Sequence, residues 1–149
     1  MRVMPRKKRN ADWLRQVQKR MGAQNLEDVK RTGRYVEREG LCSVMSDTKW
    51  EELVAAMRSL GDLSPLYRQK VVRATDPAHW DGEWYYHLRP FSLVEWIDID
   101  PFDRRKYPAT DNTDAIEQTL RGISVPFSRE GTFLRVWGYL RAGVQPKWA

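Results

Sequence analysis

Two histidines and two carboxylates lie close together in residues 79–87, a combination that occurs in metal sites and in acid–base pairs. His79 and His87 flank Asp81 and Glu83. A zinc site, however, needs His or Cys ligands at defined spacing, and this chain has a single cysteine and no HExxH motif. We therefore expect surface histidines, with neither a bound metal nor a cofactor.

Four carboxylates follow one another near the end of a predicted strand and could supply the pair that general acid–base hydrolysis requires. They are Glu95, Asp98, Asp100 and Asp103. Aspartates at strand ends commonly form turns, so turn and surface roles are favoured, with a binding patch as the alternative. The chain lacks a GxSxG motif, a glycine-rich phosphate loop and a dinucleotide fingerprint. We predict no catalytic residues and a protein that is not an enzyme.

Aromatic residues and arginine are concentrated from His79 onward, overlapping the first of these groups and preceding the second, and both types are common binding hot spots. The cluster consists of Trp80, Trp84, Tyr85, Tyr86, Arg89 and Phe91. The same rings could instead close the edge of a small core, and the sequence leaves both alternatives open. Together with the acidic run, the cluster predicts a surface that binds a protein partner. The predicted partner-binding residues are Trp80, Trp84, Tyr86, Arg89, Glu95, Asp98, Asp100 and Asp103.

The net charge of +6 is concentrated in the first quarter of the chain. Residues 1–40 hold twelve Lys/Arg and five Asp/Glu, whereas residues 41–149 hold fourteen and fifteen. Clustered basic residues bind phosphates with little sequence specificity, so nucleic-acid binding is the alternative function. The residues that would carry it are Arg6, Lys7, Lys8, Arg9, Arg15, Lys19 and Arg20.

Length and composition indicate one folded domain. A chain of 149 residues with an apolar share of 41% can bury a single core. No apolar run approaches the roughly 20 residues of a membrane-spanning helix, and no signal peptide follows the basic start. A single cysteine suits a reducing compartment, so we expect a cytoplasmic location.

Helical periodicity is clearest over residues 48–60, where Thr48 and Glu51 form a predicted capping box and Gly61 a stop. A second helix is predicted over residues 111–122, capped by Asp111 or Asn112. Near the N-terminus, residues 1–9 are interpreted as a mobile tail. Two short helices are predicted to follow, over residues 11–21 and 26–31, and to end at Gly22 and Gly33.

Strands are predicted in three places, from β-branched and aromatic content and from alternation. They are LYRQKVVRA, SLVEWIDID and a hairpin formed by ISVPF and TFLRVWGYL around Gly131. In the second arm of the hairpin, the aliphatic face is expected to be the core. The order of elements predicts an α+β fold, with a small antiparallel or mixed sheet, helices packed on one side and a basic helical N-terminal segment.

Three stretches within residues 46–141 resemble a known family when they are taken together: DTKWEELVAAMRSL, LVEWIDIDP and TFLRVWGYLR. The resemblance is to an uncharacterised family of small bacterial proteins, a domain of unknown function. Some of its members look like the immunity partners of secreted polymorphic toxins. The resemblance implies a protein that neutralises a cognate toxin, and it implies no catalytic residues.

The N-terminal segment is where the chain departs from this family, whose members tend to begin near the tryptophan-bearing helix. Met45 directly precedes that helix here. We therefore predict a basic extension over residues 1–44 and an α+β domain over residues 45–149. Translation from Met45 is one hypothesis for the difference.

Overall fold

A computed structural model describes residues 6–149, and of residues 6–14, 17, 18, 20 and 21 it describes the backbone alone. The helices of this part are α1 (Arg6–Glu39), α2 (Asp47–Ser59) and α3 (Thr113–Gly122). The longer strands are β2 (Leu66–Val71), β3 (Val94–Asp100), β6 (Phe127–Glu130) and β7 (Phe133–Trp137). The short strands are β1 (Cys42–Ser43), β4 (Phe102–Asp103), β5 (Thr110–Asp111) and β8 (Tyr139–Leu140).

The N-terminal segment is one helix of 34 residues, so the prediction of a tail and two short helices is wrong. Met1 to Pro5, which the predicted tail includes, lie outside the described residues. Gly22 and Gly33 lie inside α1, where each costs only about 1 kcal/mol relative to alanine. The helix ends at Glu39, and the next residue, Gly40, turns the chain away with a φ of +68°.

The second helix confirms the strongest periodicity of the sequence. It buries Trp50, Leu53, Val54 and Met57 and is followed by Gly61 in the left-handed region. The predicted cap is wrong by two residues, because the hydroxyl of Ser46, not of Thr48, accepts the free N–H of Lys49. Ser46 has the extended backbone of an N-cap, which lets its side chain reach that donor.

The four longer strands form one antiparallel sheet in the order β2-β3-β7-β6. Tyr67, Ile99 and Leu134 pair across it and share one face, while Arg68, Asp98 and Arg135 pair one position along and share the other. The first face packs against α2 and α3 and is called the helix face. The second is called the arginine face. The predicted α+β class is confirmed.

The core lies between the helix face and the two shorter helices. Leu53 and Met57 of α2 and Ile116 and Leu120 of α3 are buried there against aliphatic residues of the sheet. The expectation that the aliphatic side of the hairpin faces the core is therefore confirmed. No helix of residues 6–149 combines the length and the apolar character that a bilayer crossing requires.

Candidate functional site

Two neighbouring tyrosines project from the loop that joins β2 to β3. Tyr85 is 55% exposed and Tyr86 is 83% exposed. Their rings meet edge to face with centroids 4.8 Å apart, and the guanidinium of Arg58, on α2, lies 5.2 Å from the ring centre of Tyr85. Tyr and Arg are the residue types that most often anchor protein interfaces.

The backbone under these tyrosines is fixed by carboxylates of the same loop. Glu83 accepts the N–H groups of Tyr85 at 3.0 Å and of His87 at 2.8 Å. Asp81 accepts the N–H of Glu83 at 2.8 Å and contacts Nδ1 of His87 at 2.7 Å. The N–H of Glu83, and then the His87 ring, hold the pKa of Asp81 below its usual range.

Strand β2 holds the same loop from the core side. The buried hydroxyl of Tyr67 donates to the carbonyl of Glu83 at 2.5 Å. The side-chain amide of Gln69 donates to the carbonyl of His87 at 2.9 Å and accepts the N–H of Arg89 at 3.0 Å. Burial, and then the charges of Asp81 and Glu83, raise the pKa of Tyr67, so this donor keeps its proton at neutral pH.

Tyr85 lines a groove of about 500 Å³, called the tyrosine groove, and Tyr86 contacts Tyr85 from outside this lining. One wall is a single face of α2, formed by residues at helical spacing, and the other is the segment 85–91. Its lining residues are Asn25, Glu51, Val54, Ala55, Arg58, Tyr85, Leu88, Arg89, Pro90 and Phe91. Arg89 also pairs with Asp28 of α1 at 3.0 Å, which ties the long helix to one end of the groove.

Trp84 does not belong to this surface, although it lies between the loop carboxylates and the tyrosines. It is 2% exposed, its ring contacts Tyr67, and its indole N–H donates to the carbonyl of Pro65 at 2.8 Å. The aromatic cluster therefore takes both of the roles that the sequence leaves open: Trp84 belongs to the core, whereas Tyr85 and Tyr86 lie on the surface. A Trp84→Ala variant is expected to disturb the fold and cannot isolate a binding role.

The surface role expected for three of the carboxylates is wrong, since Glu95, Asp98 and Asp100 are all buried. Asp98 pairs with Arg135 at 2.7 Å and with Arg68 at 3.1 Å. Glu95 pairs with Arg141 at 2.6 Å and with Lys70 at 3.2 Å. These partners compensate the cost of burying a charge, which an isolated carboxylate could not bear.

The turn role predicted for the acidic run is observed as well, although part of the run is buried. Asp100 accepts the N–H of Phe102 at 3.1 Å and also pairs with Arg104 at 2.8 Å. Asp103 lies in β4 and pairs with Arg105 at 2.9 Å, and the guanidinium of Arg105 lowers the pKa of that carboxyl.

The predicted partner-binding residues thus do not form one surface. Arg89 lines the tyrosine groove, and Tyr86 contacts Tyr85 of that lining. Trp80 lies over Arg68, whose guanidinium is 4.9 Å from its ring centre, and belongs to the arginine face with Asp98. Asp100 is the last residue of β3, and Asp103 lies in β4. A role of these residues in binding a partner stays a prediction.

The predicted nucleic-acid residues all lie in α1. Arg15 and Lys19, four residues apart on one side of the helix, are exposed. The side chains of Arg6, Lys7, Lys8, Arg9 and Arg20 lie outside the part that the structure describes. Within the described residues, no group of three His, Cys, Asp or Glu side chains is arranged to hold a metal ion.

Sequence reasoning missed the wall of the groove on α2. Glu51, Ala55 and Arg58 form this wall together with Val54, which lies at the edge of the buried stripe of α2. The sequence signal for this second contact surface is a half-apolar helix face next to a fully apolar one.

The chain belongs to the DUF6678 family, described as a family of unknown function, whose sequence profile matches residues 32–143. Neither the functionally curated proteins nor the solved structures include a chain that matches this one. The family match begins within α1, upstream of the three stretches that carry the resemblance. The boundary predicted between residues 44 and 45 stays a prediction.

Proposed function

We propose that this member of the DUF6678 family is a non-enzymatic protein-binding domain that engages its partner at the tyrosine groove. The observation that carries the proposal is the exposure of Tyr85 and Tyr86 on a backbone held in place by Glu83 and Tyr67. Folding fixes this loop without burying either of the two tyrosine rings. A partner that covers them gains their apolar surface.

The rigidity of the loop is what makes this surface suited to binding. Ordering a flexible loop on association costs free energy, and a loop that is already ordered avoids that cost. Tyrosine has few rotatable bonds and combines a large apolar ring with a polar tip, so it loses little entropy when it is covered. Arg58 over the Tyr85 ring adds a cation that can pair with a carboxylate of the partner.

As the partner we propose a bacterial toxin that this protein neutralises in the cytoplasm, as an immunity protein does. The support for this finer proposal is the resemblance of residues 46–141 to such proteins, and it comes from the sequence alone. The groove supports a protein partner of any kind, and the neighbouring gene supplies the first candidate to test.

The test uses the protein encoded beside this one as the candidate toxin. Co-expression of the full chain should restore growth to cells that express the candidate, and calorimetry should detect a complex of the two purified proteins. Tyr85→Ala should weaken that complex by about 30-fold, the effect of removing a hot-spot residue. Tyr107→Ala is the matched control, because Tyr107 is fully exposed on a different segment.

Two results would contradict different parts of the proposal. A complex that forms without restoring growth would retain the binding role and reject the immunity role. Equal affinities for the Tyr85→Ala and Tyr107→Ala variants would reject the tyrosine groove as the binding site.

A further inference from the structure

The two halves of α1 have different surroundings. Its second half is held on the domain: Asp28 pairs with Arg89, Thr32 is buried, and the hydroxyl of Tyr35 accepts from Arg141 at 3.0 Å. In contrast, every side chain that the structure describes between residues 15 and 24 is exposed. At 1.5 Å per residue, the stretch 6–24 is a rod of about 28 Å.

The charge of this first half is not explained by the stability of the helix. Residues 6–20 hold seven Lys/Arg and one Asp/Glu, and the first turn of α1 contains no acidic residue. Basic residues near a helix N-terminus face the positive end of the macrodipole, and like charges four residues apart repel each other. A polyanion bound along this half would relieve both effects.

Among polyanions, duplex DNA matches this shape best. A helix with its side chains is about 10–12 Å wide, and the major groove of B-DNA is about 12 Å wide, whereas that of A-form RNA is too narrow to enter. A membrane-surface helix needs a continuous apolar face. The apolar residues of this half, Trp13, Leu14, Val17 and Met21, begin only after the run Arg6, Lys7, Lys8 and Arg9, so an apolar stripe does not extend along the whole of it.

We propose that residues 6–24 of α1 bind the phosphate backbone of duplex DNA in a largely sequence-independent way. The inference is independent of the tyrosine groove, because the two surfaces share no residue. It also separates the halves of the helix: the first half contacts the nucleic acid, and the second half fixes the rod to the domain.

The test measures binding of the full chain to a fluorescent 20-base-pair duplex by anisotropy, between 50 and 200 mM salt. Affinity should fall steeply with salt, because each neutralised phosphate releases counterions. The double variant Arg15→Glu with Lys19→Glu should bind at least tenfold more weakly and show a shallower salt dependence. The matched control, Lys30→Glu with Arg34→Glu, makes the same charge change on exposed residues of the second half and should lose less than threefold.

Each alternative outcome overturns the proposal. Equal losses for the two double variants would mean that net charge acts without a site in the first half. Tighter binding to an RNA hairpin than to the duplex would reject the DNA assignment. Binding to phosphatidylserine vesicles without binding to the duplex would identify a membrane-surface helix instead. Circular dichroism of every variant should show unchanged helix content, which makes a loss of binding attributable to the surface.

Discussion

The two faces of the four-stranded sheet are both buried, but by different kinds of side chain. On the helix face, Ile97, Ile99 and Leu134 are covered by apolar residues of α2 and α3. On the arginine face, Asp98 is fully buried between two arginines, and the guanidinium of Arg135 lies 3.7 Å from the ring centre of Trp96. One face is buried by the hydrophobic effect, and the other by ion pairs and cation–π contacts.

This difference determines how stability is distributed over each face. Apolar contacts are individually weak and numerous, so the helix face shares its stabilisation among many residues. The arginine face depends on one carboxylate that satisfies two guanidinium groups. Among the described residues, no buried side-chain nitrogen or oxygen lacks a hydrogen-bond partner, so removing that carboxylate would create the first unsatisfied groups.

The largest effect is therefore expected for Asp98→Ala. The substitution leaves Arg68 and Arg135 facing each other without a counter-charge, and breaking a buried pair in this way costs about 3–5 kcal/mol. The free energy of unfolding measured in urea should fall by that amount. Asp98→Asn, which keeps an acceptor oxygen and loses the charge, should cost less. A loss below 1 kcal/mol for Asp98→Ala would show that the arginine face is ordinary solvated surface.

On the helix face, Leu53→Ala should cost about 2–5 kcal/mol through the cavity that it leaves. Glu52→Ala, one residue earlier in α2, should cost less than about 0.5 kcal/mol, because the Glu52 side chain is 42% exposed and pairs only with exposed Lys49. Urea midpoints of the two variants measure the difference. Midpoints that coincide would contradict the burial of the Leu53 face.

The same contrast explains which parts of the fold could be predicted from the sequence. α2 and the β6–β7 hairpin were predictable because their apolar residues follow the helical and strand periods. In α1 the apolar residues Trp13, Leu14, Val17 and Met21 indicate a helix only as far as Gly22. The contacts that dock the second half of α1 are made by Asp28, Thr32 and Tyr35, which a search for apolar periodicity does not detect. The glycines therefore had too much weight in the prediction, and one helix was interpreted as two.

The candidate site was predictable only as far as its interactions are local. The carboxylates Asp81 and Glu83 bond to backbone N–H groups two to four residues away, a pattern typical of turns that the sequence can indicate. Asp98, by contrast, meets Arg68 and Arg135, which are 30 and 37 residues distant. Partners so distant in the sequence leave no local pattern, so surface roles are predicted for acidic residues that the fold buries.

The smallest effect is expected from Tyr67, whose buried hydroxyl lies on the helix face, and the measurement that distinguishes it is made at high pH. Burial, followed by the charges of Asp81 and Glu83, raises the pKa of Tyr67 above its ordinary value of 10.0. The folded chain then keeps a proton that the unfolded chain releases, so the stabilisation is complete below pH 10 and is lost as the pH rises above it. One such proton contributes a slope of about 1.4 kcal/mol per pH unit.

Tyr67→Phe should be less stable at pH 7, where it lacks the hydrogen bond to the Glu83 carbonyl, but should lose stability more slowly above pH 10. Parallel slopes for the two proteins, from urea unfolding between pH 9 and 11, would show that the hydroxyl of Tyr67 is open to solvent and does not hold the tyrosine loop.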